Sequence, residues 1–373
     1  MKIEVYSPTI RRKEMDAVLT VMVEEKIGPG DRSRLLTQTV KEQLRFDYAL
    51  TLRSPAVALH LALKAIMSEA PLQAAQPAEN SAVNTEKKAV IVSALSPLFY
   101  LQVINDLQLT PLFCDVSYEF PCMSREGIEN TIAKKPPGVH VCAIVLHHTL
   151  GFVPDASSIA ELGIPVIEDI SQSYGSRLAV NTDETQKEKG EPLIKVSGAL
   201  CILGLEERDM LTSGGGALLF AMARKDGSLL RSFAGLPDEY CLPDINAALA
   251  VVQFKEIFRN TARRRDIAEV YTKASMSLAT RTKHRRFISV SDNENSYCFP
   301  LLLEAGLKDV LAYAKKKEIV LENAFEKTIA GSGLCEGCPV SSSLALRTVL
   351  FPMYPRLRSQ EVERVSRLIM TLP

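Results

Sequence analysis

The sequence predicts an α/β protein: a large domain built on a mostly parallel sheet, followed by a small α+β domain. Three observations carry this. Between residues 40 and 220, runs of Val, Ile and Leu alternate with stretches whose apolar residues recur at helical spacing. The runs are continuous rather than polar at every second position, as expected of strands covered on both faces. From about residue 244 the texture changes to long amphipathic helical patterns with a further strand.

The elements follow in order. YALTLRS (48–54) is a short strand ending at a turn, and AVALHLALKAI (56–66) is a helix. AVIVSAL (89–95), LTPLFCDV (109–116), VCAIVLHH (141–148) and IPVIEDI (164–170) are buried-strand runs. GALCILGL (198–205) and GALLFAM (216–222) close the sheet, with Gly214–Gly216 as the turn into the last strand. Such sheets bind ligands outside the C-terminal ends of their strands. Residues 68–88 and 181–192 are polar, carry Pro or Gly, and read as surface loops. These elements define a large domain at 1–243 and a small one at 244–373. In the latter, DINAALAVVQFKEIFRNTARRRDIAEVYTKA is one long amphipathic helix or a helix pair. Ala247, Ala248, Val251, Val252, Phe254 and Phe258 lie on its apolar side, and Arg263–Arg265 reads as a solvated face. SYCFPLLLEA (296–305) is a strand and LKDVLAYAKKKEI (307–319) a helix. The last helix has Ser359 as its N-cap, Glu361 in the first turn, and Val362, Val365, Leu368 and Ile369 at helical spacing.

Composition narrows the function classes. The 44 Lys and Arg balance the 44 Asp and Glu, so no electrostatic footprint favours nucleic acid or an anionic membrane. MKIEVYSPTIRRKEMDAV holds no signal-peptide core, and no apolar run approaches the ~20 residues of a membrane span. The eight cysteines are scattered, several within apolar runs, which suits a reduced, cytoplasmic protein. Cys335 and Cys338 form one C-x-x-C with no second pair at metal-site spacing, so no metal is expected.

VIEDISQSYGS (166–176) resembles the VIEDxAQxxGA segment of the sugar aminotransferase family, the DegT/StrS branch of fold-type-I enzymes that use pyridoxal phosphate (PLP). Further segments match that family in order: ALHLAL (58–63), TPLFCDV (110–116), HHTLG (147–151), the helical region from Asp244, and LFPMYPRLRSQEVERVSRLI near the end. The resemblance implies an aspartate-aminotransferase-like fold and PLP as cofactor. It also implies a homodimer with shared sites, or a heterodimer with an active paralogue, and a context in carbohydrate or surface-polysaccharide biosynthesis. It implies residue roles as well. Asp169 would pair with the protonated pyridine nitrogen and keep the ring an electron sink. Gln172 would lie beside the ring or its hydroxyl, His148 near the site, and Ser54 and Ala56 in the phosphate loop.

The positions that carry the chemistry depart together. Setting TSGGGA against the family's TGEGGA puts Arg208 at the Schiff-base lysine, among Glu206, Glu207 and Asp209, and no lysine lies between Lys195 and Lys225. A guanidinium stays protonated and is a poor nucleophile, whereas an aldimine requires a neutral amine. In RSPAVAL against SSGTAAL, Pro55 removes an N–H donor and Ala56 a hydroxyl. The ring-stacking aromatic falls at Pro97, with Phe99 or Tyr100 as substitutes after a local shift. Leu203 stands for a phosphate-binding serine, and Glu239 and Cys241 for the residues lent by the partner subunit. The reading is a degenerate family member with no covalently bound PLP and a binding or assembly role. Two alternatives stand beside it. One is an active PLP- or PMP-dependent enzyme on a nucleotide-linked keto-sugar, either through Lys195 in a different threading or by lysine-free, dehydratase-like chemistry. The other is a new ligand in a site rich in charge.

Overall fold

The computed structural model describes residues 2–68, 87–176, 196–288, 297–304 and 306–373. The loop expected at 68–88 falls outside this set except for its ends, and both the 181–192 stretch and Lys195 lie outside it.

The large unit opens with α1 (Arg12–Val23) and α2 (Asp31–Leu44). It continues through β1 (Tyr48–Leu52), α3 (Pro55–Ser68), β2 (Lys87–Ser93), α4 (Leu98–Asp106) and β3 (Thr110–Cys114). Then come α5 (Arg125–Ala133), β4 (Val139–His147), α6 (Ala156–Ala160), β5 (Val166–Asp169), β6 (Leu200–Gly204), β7 (Ala217–Ala221) and α7 (Arg224–Arg231). The strands form one sheet in the order β1-β7-β6-β5-β4-β2-β3. Pairs from β3 to β6 are parallel, and β7 runs antiparallel to both β6 and β1. Helices α3, α4 and α7 cover one face, where Leu59, Tyr100, Val145, Ile202 and Leu219 share a core. On the other face Leu36, Tyr174, Leu203, Phe220 and Phe254 share another. This two-sided burial is why the strands read as unbroken apolar runs.

The chain then enters α8 (Asp244–Lys255) and α9 (Ile257–Ala279), a helix pair broken at Glu256. Next are β8 (Phe299–Leu302), α10 (Leu307–Lys316), β9 (Glu322–Asn323), α11 (Pro339–Arg347), β10 (Thr348–Phe351) and α12 (Ser359–Met370). The three strands form an antiparallel sheet in the order β8-β10-β9. Helix α8 belongs by its packing to the large sheet, since Ala247, Val251 and Phe254 share the core of Leu203 and Phe220. Conversely, Ile3 bridges to Ile319 and sits in the core of the small unit beside Tyr271, Leu301 and Val365.

Three local expectations are corrected. The Arg263–Arg265 run is not a solvated face. Arg264 is buried, donating from Nη1 to the carbonyls of Tyr297 at 2.7 Å and Met353 at 2.8 Å, and Arg263 donates to the Leu357 carbonyl at 3.0 Å. The two carbonyls on Arg264 offset the desolvation of its charge. Phe258, read on the apolar side, is 46% exposed. Finally, Arg358 and not Ser359 is the N-cap of α12. Its N–H donates to the Glu361 carboxylate at 2.8 Å, and Ser359 is the first helical residue.

Candidate active site

The strand ends of β4, β5 and β6 bring together the residues expected at the site. Register places His147 opposite Asp169 and Asp169 opposite Ile202, so β4 and β5 end at one level, two residues short of the end of β6. Because side chains alternate along a strand, Glu168 and Asp169 point to opposite faces of the sheet.

Asp169 is 2% exposed, and both of its oxygens have donors from the chain itself. Oδ2 accepts the hydroxyl of Tyr100 at 2.5 Å. Oδ1 accepts the Ser171 N–H at 3.0 Å and also the Ser171 hydroxyl. Ser171 Oγ in turn accepts the Gly204 N–H at 2.7 Å, which ties the turn after β5 to the end of β6. Burial first, and the Asp169 charge second, push the Tyr100 hydroxyl far above the ordinary phenol range, so it remains a donor.

A second carboxyl stands close by. Asp209 Oδ2 accepts the Glu206 N–H at 2.9 Å, and it crowds Gly204 so closely that a Cβ there would strike both Asp209 and Ser171 Oγ. Burial, followed by the Asp169 charge, pushes the Asp209 carboxyl well above the ordinary carboxylate range. Two carboxyls this close disfavour each other's ionisation, which adds to the upward push on Asp209. Burial also lowers the imidazole of His147, which stands edge-on to the Tyr100 ring, to about 4, so it is neutral near pH 7.

Arg208 turns away from this cluster. Its guanidinium meets Glu322 of β9 at 2.5 and 3.2 Å and lies over the Tyr6 ring, 5.7 Å from its centroid. Gln172 Oε1 accepts the Leu150 N–H at 2.8 Å. His148 is buried with Nδ1 2.7 Å from Ser173 Oγ and Nε2 3.5 Å from Glu168 Oε2. Glu168 Oε1 accepts the N–H groups of Ser197, at 2.7 Å, and Gly198.

At the start of α3, Ser54 Oγ accepts the Val57 N–H at 3.3 Å, and Pro55 has no N–H to give. Ala56, the next residue of this first turn, offers no hydroxyl to an anion. Leu203 is fully buried on the far face. Pro97 is bridged to Thr328 of the small unit, and Phe99 packs edge-on to Tyr100 at 4.8 Å. Glu239 and Cys241 lie on the short 3-10 turn Asp238–Tyr240 and just after it, with Cys241 bridged to Leu52. Cys338 is the buried N-cap of α11, its thiol pushed up to about 12 by burial, which leaves it a poor nucleophile at neutral pH. Among the described residues no His, Cys, Asp or Glu group has the arrangement of a metal site, and no helix is long and apolar enough to cross a membrane.

The sequence placed Asp169, Gln172, His148 and Ser54 as inherited positions, and the structure gathers Asp169 with Tyr100, Ser171, Asp209 and His147. The Arg208 guanidinium pairs with Glu322 instead of with Asp169. Reading Tyr100 only as a ring left its hydroxyl unused. Ser171, two residues beyond Asp169, carried the one local signal of a self-capped carboxylate.

Comparison with known proteins agrees with this architecture. A sequence model of the DegT/DnrJ/EryC1/StrS aminotransferase family matches residues 8–185 and 221–370. The two matched stretches leave out residues 186–220, the segment that contains Arg208 and Gly214–Gly216. The chain is 26% identical over 294 residues to a GDP-perosamine synthase of Escherichia coli O157:H7, covering 74% of this chain and 72% of that protein. It is 21% identical over 286 residues to an E. coli dTDP-4-amino-4,6-dideoxy-D-glucose transaminase, covering 70% and 73%. Among solved structures, the aminotransferase TlmJ of Streptoalloteichus hindustanus superposes with a TM-score of 0.77 at 19% identity, covering 99% of this chain and 98% of that one. The protein Spr1654 of Streptococcus pneumoniae in its PLP form gives 0.79 at 17%, covering 100% and 98%. The fold is that of the type I PLP-dependent aminotransferases.

Proposed function

Because the chain belongs to the DegT/DnrJ/EryC1/StrS aminotransferase family, its inherited site is measured against that chemistry, and we propose that it is a member without aminotransferase activity. Its role is one of binding or assembly in nucleotide-sugar or polysaccharide biosynthesis. The observation that carries this is Arg208: the residue aligned with the Schiff-base lysine has no free amine and is held by Glu322 in the small unit.

The donor set supports the same reading. PLP needs a carboxylate open to its ring nitrogen and a phosphate cradle of N–H and hydroxyl donors. Here Asp169 is filled by Tyr100 and Ser171, while at the phosphate positions Pro55 has no N–H and Ala56 and Leu203 have no hydroxyl. These residues do not fit the cofactor, and no reaction step is assigned through it. The sugar context rests on the relatives, whose names concern nucleotide-linked amino sugars. Eight free thiols support the cytoplasmic location read from the sequence.

The test is a PLP titration of the purified protein followed by borohydride reduction, together with a transamination assay on a nucleotide-linked 4-keto sugar. No reduced lysyl adduct and no turnover are expected. A stable adduct or measurable amino transfer defeats the reading.

We also propose that the chain pairs with a second copy through α1. Met15, Leu19 and Met22 form an apolar stripe along this helix, each about half exposed, and Val23, Ile27 and Leu35 extend it. Helix α1 opens on Arg11, Arg12 and Lys13 and ends against Glu24 and Glu25. An antiparallel two-fold pairing therefore sets each basic end over the other copy's acidic end, the self-complementarity an isologous interface needs. Light scattering should show a dimer that Leu19→Glu converts to monomer, and a monomeric wild-type protein refutes the pairing.

A further inference from the structure

We propose that Tyr100 is the resident ligand of Asp169: its phenol O–H occupies the position that the family gives to the cofactor's ring nitrogen, which closes this subsite to pyridine-type rings, aldehyde and amine forms alike. The inference rests on the proposed reading of Asp169 as the inherited ring-nitrogen partner. It is independent of Arg208, because it concerns noncovalent recognition and not Schiff-base chemistry.

A carboxylate has about four lone-pair directions. Three of those of Asp169 receive donors: the Tyr100 hydroxyl at 2.5 Å on one oxygen, and the Ser171 N–H at 3.0 Å and Ser171 hydroxyl on the other. A site that had only lost its cofactor would leave the carboxylate facing water or a void, yet Asp169 is 2% exposed. The charge is satisfied from inside, with the strength of a hydrogen bond to an ionised acceptor.

Nor is the phenol free to swing aside. Tyr100 is fully buried among Leu59, Ile104, Val145 and Ile202, and its ring meets Phe99 and His147 edge-on. The start of its helix is held by the small unit. Leu98 donates to the Lys327 carbonyl at 3.3 Å, Ile329 donates to the Ser96 carbonyl at 3.1 Å, and Ala330 donates to the Ala94 carbonyl at 2.8 Å. Displacing Tyr100 requires the stretch 94–98 to part from the stretch 327–330. The sequence feature behind this is the run SPLFY, where proline stands at the stacking position and an aromatic three residues on points its hydroxyl at the strand end.

The probe is pyridoxamine 5′-phosphate, which has no aldehyde and reads the ring subsite alone. Calorimetric titration of the wild-type protein should show no binding tighter than ~1 mM. Saturable tighter binding that Asp169→Asn abolishes overturns the inference, while leaving the absence of aminotransferase activity standing. A borohydride adduct or turnover, by contrast, strikes the functional reading. Tyr100→Ala should open a hole that p-cresol fills, raising the melting temperature more than toluene does, with the preference lost in Tyr100→Ala/Asp169→Asn. Equal effects of the two solutes refute the inference. Should Tyr100→Ala fail to fold, Tyr100→Phe decides. It should lower the melting temperature more than Tyr174→Phe, because Tyr174 is another buried phenol whose partner is the neutral amide of Gln43 at 3.0 Å. An equal or smaller drop counts against Tyr100 as the ligand.

Discussion

The guanidinium of Arg208 lies 2.5 and 3.2 Å from the Glu322 carboxylate, joining the loop between β6 and β7 to the small sheet. Residues 114 apart in sequence thus form a clamp at the position where the family's nucleophile is expected from the sequence. The clamp is half exposed, so its contribution is that of a solvent-screened pair, ~0.5–1 kcal/mol. A double-mutant cycle with Arg208→Ala and Glu322→Ala should return a coupling of that size. Arg208→Lys should keep part of the pair and still give no borohydride-stable PLP adduct, since Asp169 and the α3 turn are unchanged. Transamination by that single variant would show that the rest of the site is intact.

Asp209 sets an alkaline limb on stability. Its folded carboxyl is raised by burial and by Asp169, while an unfolded aspartate titrates near ~3.9. The native state therefore holds the proton more tightly. The stability from this group is complete below about pH 4 and is lost as pH rises from there towards the folded value, by at most about 1.4 kcal/mol per pH unit for one proton. Asp209→Asn keeps an acceptor for the Glu206 N–H and removes the titration. Its melting temperature relative to wild type should climb as pH rises above about 4. A constant difference across that range would remove Asp209 as the cause.

His147 sets the acid limb. Its folded value is lowered to about 4 by burial, against ~6.5 when unfolded. Here the unfolded chain gains the proton first. The contribution is complete above about pH 6.5 and is lost as pH falls towards 4, up to ~3 kcal/mol in all. The melting temperature of His147→Gln relative to wild type should rise as pH falls from 7 to 5. Between about pH 4 and 6.5 the two contributions change in opposite directions and offset each other, so each is read from its variant's difference from wild type; a constant difference for His147→Gln would remove His147 as a cause.

What the sequence disclosed was what is local. Leu200–Gly204 announces a buried strand because every residue before its closing glycine is apolar, Val166–Ile167 continues the apolar run that begins at Ile164, and the helix of Ala247–Phe254 follows from spacing. Long-range polar pairing leaves no such trace. Arg264 looks like its neighbours in a basic run, and only the carbonyls of Tyr297 and Met353, 33 and 89 residues away, draw it inside. Tyr100 reads as an apolar ring in a helix, and its role appears only when Asp169, 69 residues on, comes within 2.5 Å. Phe258 shows the reverse, an apolar residue at helical spacing that stays 46% exposed.

The glycine turn after the Arg208 loop should discriminate between its members. Gly214 has φ +75 with open space where a Cβ would stand, whereas Gly216 has φ +124 and its Cβ would strike the Leu242 side chain. Alanine at 214 meets only the cost of left-handed backbone, ~1–2 kcal/mol. At 216 the backbone is one that L-residues rarely adopt, and overpacking adds ~1–3 kcal/mol. The Gly216 carbonyl also accepts the Leu205 N–H at 2.8 Å, so a shift there disturbs the loop at its root. Denaturant unfolding should place Gly216→Ala well below Gly214→Ala, with the latter within ~2 kcal/mol of wild type. Similar losses for both would mean that the turn relaxes around Leu242 and that the Arg208 loop is not anchored there.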